Sequence, residues 1–176
     1  MRRNKDMEPT ASIILRTFNE EKHLGKLLRK VFEQKTSFPY EVILVDSGST
    51  DGTLDIASKY QVKIVRITPE EFTFGRSLNK GIEQAKGDYC LMTSAHCYPA
   101  NENWIESMVV PFKNSNVAMV YGKQRGVEET KYSEHQIFSQ WYPDEDIAEL
   151  KHPFSNNANS AIRRSVWNEY KFNEEL

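Results

Sequence analysis

One short run of this chain places two carboxylates within a single turn. Asp46-Ser47-Gly48-Ser49-Thr50-Asp51-Gly52-Thr53 directly follows the apolar run Tyr40-Glu41-Val42-Ile43-Leu44-Val45. A strand ends in an aspartate, a Ser/Gly/Thr turn follows, and a second aspartate stands where a helix begins. Both carboxylates therefore sit at the carboxyl end of a strand. In open α/β sheets, ligands bind in the crevice outside those strand ends. The structural alternative is a turn in which Asp51 or Thr53 does no more than cap a helix.

Three other groups of residues can do chemistry at such an edge. The first βα turn is Arg16-Thr17-Phe18-Asn19-Glu20-Glu21. It holds no Gly-x-Gly-x-x-Gly and no Walker lysine, so the usual dinucleotide and triphosphate cradles are absent. A nucleotide here would be held by carboxylates and backbone groups, with Glu20 and Asp46 as acceptors for a base or ribose. The alternative for Glu20 is a first-turn acid favoured by the helix dipole. Gly75-Arg76-Ser77-Leu78-Asn79-Lys80-Gly81 opens a later helix. A cation at a helix N-terminus is unfavourable unless it has an anionic or planar partner, which makes Arg76, with Asn79 one turn on, a site candidate. A solvated face is the alternative. Thr93-Ser94-Ala95-His96-Cys97-Tyr98-Pro99 follows a further strand, and His96 stands at its end. An imidazole there can ligate a divalent metal or donate to a phosphate. A structural or exposed histidine is the alternative.

These residues need elements to position them. Apolar runs predict strands over 12–17, 42–45, 62–65, 88–93 and 117–121. Between them, Leu24, Leu27, Leu28 and Val31 line one face of a first helix, which Asn19 is expected to cap. Further helices are predicted over 54–60, 74–85 and 104–112. Strands alternating with helices specify a three-layer α/β domain with a mainly parallel sheet. Residues 124–151 are polar, acidic and aromatic and read as part helix, part flexible flap. Asp144, Glu145 and Asp146 read as a solvated loop. Asn157-Ala158-Asn159-Ser160 leads into a last short strand, and a helix begins at Arg163.

Composition narrows the class. The 176 residues, 39% of them hydrophobic, suit one domain with a sizeable core. With 23 basic and 25 acidic residues the formal charge is -2, which gives no electrostatic case for nucleic acid. No apolar run is long enough to span a bilayer. Residues 1–10 are expected to be a disordered leader, because their basic start lacks the apolar segment of a secretory signal. Cys90 and Cys97 make no disulfide framework. Cys90, in an apolar run, reads as a buried small hydrophobe, and a reducing cytoplasmic setting fits.

The ordered set Ser12-Ile-Ile-Leu-Arg-Thr-Phe-Asn-Glu-Glu, Val45-Asp-Ser-Gly-Ser-Thr-Asp-Gly-Thr, Phe74-Gly-Arg-Ser-Leu-Asn-Lys-Gly, Gly87-Asp, Ser94-Ala-His-Cys-Tyr-Pro and Asn157-Ala-Asn-Ser-Ala-Ile-Arg-Arg resembles the family-two, GT-A-fold glycosyltransferases, and within them the bacterial rhamnosyltransferase-like branch. The resemblance spans about residues 10 to 176. It implies an inverting transfer of a sugar from a nucleotide diphosphate donor to a glycan or lipid-linked acceptor, in bacterial cell-envelope polysaccharide synthesis. It implies nucleotide-binding roles for Thr17, Glu20, Asp46 and Arg76, and an acceptor side at Asn157 and Asn159. Ser94-Ala95-His96 occupies the place of the family's Asp-x-Asp metal motif. Magnesium prefers oxygen ligands, so histidine there suits manganese better, or His96 touches the diphosphate directly. The family's general base is a carboxylate that follows a segment like Phe172-Asn173-Glu174-Glu175-Leu176. It is expected beyond Leu176, so that 11–176 is a C-terminally incomplete domain. A nucleotide-sugar-binding module without turnover is then the alternative function. A sugar-nucleotide pyrophosphorylase would need a Gly-rich basic loop after the first strand, which Arg16-Thr17-Phe18-Asn19 does not supply. Expected further are a place at the inner face of the membrane, peripheral membrane association, and self-association through apolar surface near Trp167, Tyr170, Phe172 and Leu176.

Overall fold

Short runs of Ile, Leu and Val, buried on both faces, become the central strands of a sheet that is covered on both sides. A computed structural model of the chain describes residues 8–126, 130–142, 144–145 and 157–175. The strands are β1 (Ala11–Thr17), β2 (Tyr40–Asp46), β3 (Lys63–Arg66), β4 (Tyr89–Ser94), β5 (Met119–Tyr121) and β6 (Asn159–Arg163). The helices are α1 (Glu21–Phe32), α2 (Thr53–Ala57), α3 (Phe74–Ile82), α4 (Trp104–Val109), α5 (Tyr132–Trp141) and α6 (Arg164–Glu169).

The six strands form one sheet in the order β3-β2-β1-β4-β6-β5. β3, β2, β1 and β4 are mutually parallel, and β6 runs antiparallel to β4 and β5. Alternation along the strands divides the core in two. Ile13, Leu15, Val42, Leu44, Leu91 and Ala161 face α1, α2 and α4. Ile14, Ile43, Val45, Cys90, Met92 and Ile162 face α3 and α6. The expected three layers are therefore present. Two close approaches hold the α3 layer down. A β-carbon on Gly81 would stand 2.5 Å from Ile14 Cγ2, and one on Gly75 would stand 1.7 Å from the Asn173 carbonyl oxygen. Cys90 is a buried thiol, pushed up to about 12 chiefly by burial, as expected of a core residue.

The carboxyl ends of β1, β2, β3 and β4 (Thr17, Asp46, Arg66 and Ser94) share one edge of the sheet, joined there by Asn159 at the start of β6.

Several expectations change. Asn19 does not cap α1. It adopts a left-handed φ of 54°, the N-cap is Glu20, and the Asn19 amide turns across to the β2 loop instead. α2 and α3 end earlier than expected, at Ala57 and Ile82. α4 stops at Val109 and continues as a 3-10 turn through Pro111, whose ring cannot continue an α-helix. Trp167 is buried, so it offers no apolar surface; Phe172 is half-buried and Tyr170 exposed. Asp144 and Glu145 are exposed as expected, whereas Asp146 and Leu176 lie outside the described residues. Among the described residues no helix is long and apolar enough to cross a membrane.

Candidate functional site

The two loops that leave β1 and β2 are latched together. Asn19 N donates to Ser49 Oγ at 2.9 Å, and Thr50 N donates to Asn19 Oδ1 at 2.8 Å. Glu20 N donates to Thr53 Oγ1 at 2.7 Å, and Glu21 N to Asp51 Oδ2 at 3.1 Å. Asp51 Oδ1 also accepts from the N–H and hydroxyl of Thr53, and the hydroxyl contact is the main cause of its lowered pKa. The capping alternative thus describes Asp51. Its carboxylate secures the first turn of α2 and the neighbouring loop.

Asp46 is different. It is 1% exposed at the end of β2. Its Oδ1 accepts from Ser49 Oγ at 2.5 Å and Thr17 Oγ1 at 3.1 Å. Its Oδ2 accepts from Ser49 N at 2.9 Å and Gly48 N at 3.1 Å. A carboxylate has about four lone-pair sites, and here three are filled by its own turn and one by Thr17 of β1. Gly48, at φ 89°, lets the chain close around it. The turn forms one wall of a pocket of about 320 Å³, whose opposite wall is Arg66, Ile67, Thr68, Pro69 and Glu71. That opposite wall is fixed by a reciprocal cap, with Glu71 N donating to Thr68 Oγ1 and Thr68 N to Glu71 Oε2. Asp46 and Thr17 therefore come together as the sequence suggests. Asp46 shapes the pocket rather than offering an unused acceptor to it.

Glu20 lies at a second group, two strands along. His96 Nδ1 stands 3.2 Å from Glu20 Oε1, on the turn after β4. His23 Nδ1 stands 2.7 Å from the Tyr98 hydroxyl, and the two imidazole centroids are 6.4 Å apart. His23 and Tyr98 escaped the sequence reading. The available signal was spacing, since His23 is three residues after Glu20 and so lies on the same side of the first turn of α1. Glu20 and His96 spend an oxygen and a nitrogen on each other, and among the described residues no three His, Cys, Asp or Glu side chains form a metal-holding group. Ser94 is half-buried at the end of β4, and its carbonyl accepts from Cys97 N.

Arg76 does have the anionic partner that its position demands, but the partner is the chain's own Glu174, at 3.1 Å. Arg76 Nη1 also donates to the Glu71 carbonyl at 2.9 Å, bracing the pocket wall from behind. Asn79 uses all four of its hydrogen-bonding positions. Its amide donates to Phe172 O and Glu174 Oε1, and its oxygen accepts from Trp167 Nε1 and Phe172 N. With Gly75 opening the space for Asn173, the Gly75-to-Asn79 segment is a dock for residues 172–174. Asn79 followed by Arg76 holds the Glu174 carboxyl below its usual range.

Asn159 Oδ1 accepts from Trp104 Nε1 at 2.9 Å, and its amide donates to Lys123 O at 3.2 Å. It ties β6 to its neighbours. Asn157 lies just before it, with its Oδ1 buried and unpartnered. Among the described residues, five buried side-chain atoms lack partners, and four of them, on Arg16, Ser47, Asn157 and Ser160, belong to the strands and loops of the edge at which β4 ends. Orphaned buried polar atoms are rare enough that each calls for a reason.

The chain is similar to known proteins over much of its length. The chain is 32% identical over 117 residues to the O-antigen chain rhamnosyltransferase WbaN of Salmonella anatum, covering 66% of this chain and 37% of that protein. Its fold matches S. aureus TarS 1-349 in complex with UDP at a TM-score of 0.73 and 24% identity, over 95% of this chain and 51% of that one. It matches the mannosyltransferase PcManGT from Pyrobaculum calidifontis, in complex with GDP-Man and Mn2+, at a TM-score of 0.73 and 20% identity, over 97% of this chain and 49% of that one. The three-layer sheet is thus that of the GT-A glycosyltransferases, and the chain spans between 37% and 51% of the length of these relatives. The family model for glycosyl transferase family 2 matches residues 12–170, and the chain belongs to that family.

Proposed function

We propose that this chain is the donor-binding part of an inverting glycosyltransferase that takes a sugar from a nucleotide diphosphate and gives it to a glycan or lipid-linked acceptor. The observation that carries the reading is the pocket beside Asp46, at the carboxyl ends of β2 and β3. It is pre-formed, because Asp46 and the Thr68–Glu71 cap fix both walls before any ligand arrives. The base and ribose sit there, against Asp46, Thr17 and the backbone of residues 66–68. The diphosphate runs across β1 towards Ser94 and His96. Glu20 occupies His96 Nδ1, which leaves Nε2 to meet a phosphate oxygen. Oriented donors of this kind stabilise the charge that develops on a departing diphosphate. Arg76 acts through Glu71 and Glu174, as a brace of the pocket. Asn157 and Asn159, on the β6 side, face the acceptor end of the edge.

A second reading, nucleotide-sugar binding without turnover, is favoured by one observation. The carboxylates of this edge, Asp46, Asp51 and Glu20, are each engaged within the chain, so none of them is a ready base for an acceptor hydroxyl. General-base assistance is typically worth about 10²- to 10⁴-fold in rate. Thermal-shift titration with UDP-, dTDP- and GDP-sugars tests donor binding. A stabilisation of about 2.7 kcal/mol is expected at a hundredfold excess over Kd. If none of the sugar nucleotides shifts the transition, the donor reading fails. Donor consumption with and without added acceptor then separates transfer from binding alone.

A further inference from the structure

Arg16 is the last residue but one of β1, the strand that lies between β2 and β4. In register it stands beside Val45 on one side and Ser94 on the other. Its side chain shares the sheet face of Ile14, beneath α3, and its guanidinium carbon lies 5.0 Å from the centre of the Phe74 ring. Its Nε is buried with no hydrogen-bond partner, and among the described residues no carboxylate pairs with the guanidinium. Burial pushes its pKa down from the ordinary arginine value, opposed by the nearby Cys97.

Arg16 is half-buried, and its Nε is shut off from water with no partner inside the fold. The missing partner is an anion that arrives from solvent. The planar fork suits phosphate or carboxylate bound through two parallel hydrogen bonds, and stacking on Phe74 fixes its plane. The strand order says which anion. The Asp46 pocket lies on β2 and β3, and Ser94 and His96 belong to β4 and its turn. At about 4.8 Å per strand, these are roughly 10 Å apart, the reach of a nucleoside. Whatever links a base in the pocket to β4 must cross the end of β1, where Arg16 waits.

We infer that Arg16 is the cationic anchor for the diphosphate of the donor, a charge-neutralising role supplied by a strand-end arginine. The inference rests on the donor reading above. It also assigns to Phe74, 58% exposed and unexplained by the core, the task of holding the guanidinium flat.

The test compares the 176-residue chain with its Arg16→Met and Arg16→Lys variants. For each, Kd is measured by ligand-observed NMR competition for UDP, dTDP and GDP and for the matching nucleosides, in manganese buffer and again in EDTA. R16M is expected to lose about 10- to 100-fold in affinity for the preferred diphosphate while binding its nucleoside within about twofold of the original chain. R16K, which keeps the charge but not the fork, falls between. The free R16M protein is expected to melt at the same temperature or higher, because the change removes an unpaired cation. A lower melting temperature with equal losses for nucleoside and diphosphate would make Arg16 a structural residue and overturn the inference. Unchanged diphosphate affinity in R16M would also overturn it, while the pocket reading survives if the nucleoside still binds. If the original chain binds no nucleoside and no diphosphate, both readings fall together.

Discussion

Two arginines stand near the same edge of the sheet in opposite circumstances. Arg76 has a carboxylate on its Nε and a carbonyl on its Nη1, and the neighbouring Asn79 is satisfied at every position. Arg16 stacks on Phe74 and leaves its Nε buried without a partner. The region around α3 is finished by the chain itself. The end of β1, on the inference above, is finished by the donor diphosphate. A polar side chain with all its partners inside the fold holds structure, and one without them is available for function. This difference separates the two more reliably than residue type does.

The largest expected effect lies in the finished region. Asn79→Ala would strand Trp167 Nε1 and both backbone groups of Phe172, and should cost about 3 kcal/mol or more. Chemical denaturation measures it. A loss below about 1 kcal/mol would show that residues 172–174 are not docked as described. Gly75→Ala comes next, at about 2 kcal/mol, because its methyl group would meet the Asn173 carbonyl and force the segment to move. Limited proteolysis should then cut near Asn173, and an unchanged digestion pattern would refute the contact.

Asp46→Ala should cost about 2 kcal/mol through the unpaired Gly48 and Ser49 amides, and nucleotide binding should fall with the loss of the turn. Normal nucleotide affinity in a folded D46A chain would break the link between this turn and the ligand. Arg76→Ala should have the smallest effect on stability, because the Arg76–Glu174 pair is partly open to water and exposed pairs contribute little. Its trace is a pH dependence. The Glu174 carboxyl is held below the ordinary value of 4.5, first by Asn79 and then by Arg76. Its contribution is therefore present above pH 4.5 and is lost as pH falls through the lower folded value. In R76A that acid-side loss should be smaller and complete at a higher pH. An unshifted acid transition would mean that the pair has no energetic role.

Much of the fold was legible because its signals are local. Leu24, Leu27, Leu28 and Val31 mark α1 by period alone, and the apolar runs mark β1, β2 and β4. The placement of Asp46 at a strand end was legible from the apolar run that precedes it. What stayed hidden depends on partners far along the chain. Asn19 looked like a cap because Thr50, its actual partner, is 31 residues away. The ion pair of Arg76 with Glu174 was hidden because the two are 98 residues apart. The insertion of β6 between β4 and β5 follows from long-range pairing that no local pattern encodes. Arg16 was read as part of a turn. Its lack of a partner becomes visible only when its surroundings are known.

On the proposed function, a nucleoside diphosphate binds across the ends of β3, β2, β1 and β4. Amide chemical-shift mapping during titration with UDP, dTDP and GDP tests it most directly. The diphosphate that binds is expected to shift the amides of Thr17, Gly48, Ser49, Ile67, Thr68 and His96 together, and to leave those of Gly87, Asp88 and Arg164 at the opposite edge unmoved. Saturable shifts confined to that opposite edge, or to α5, would contradict it.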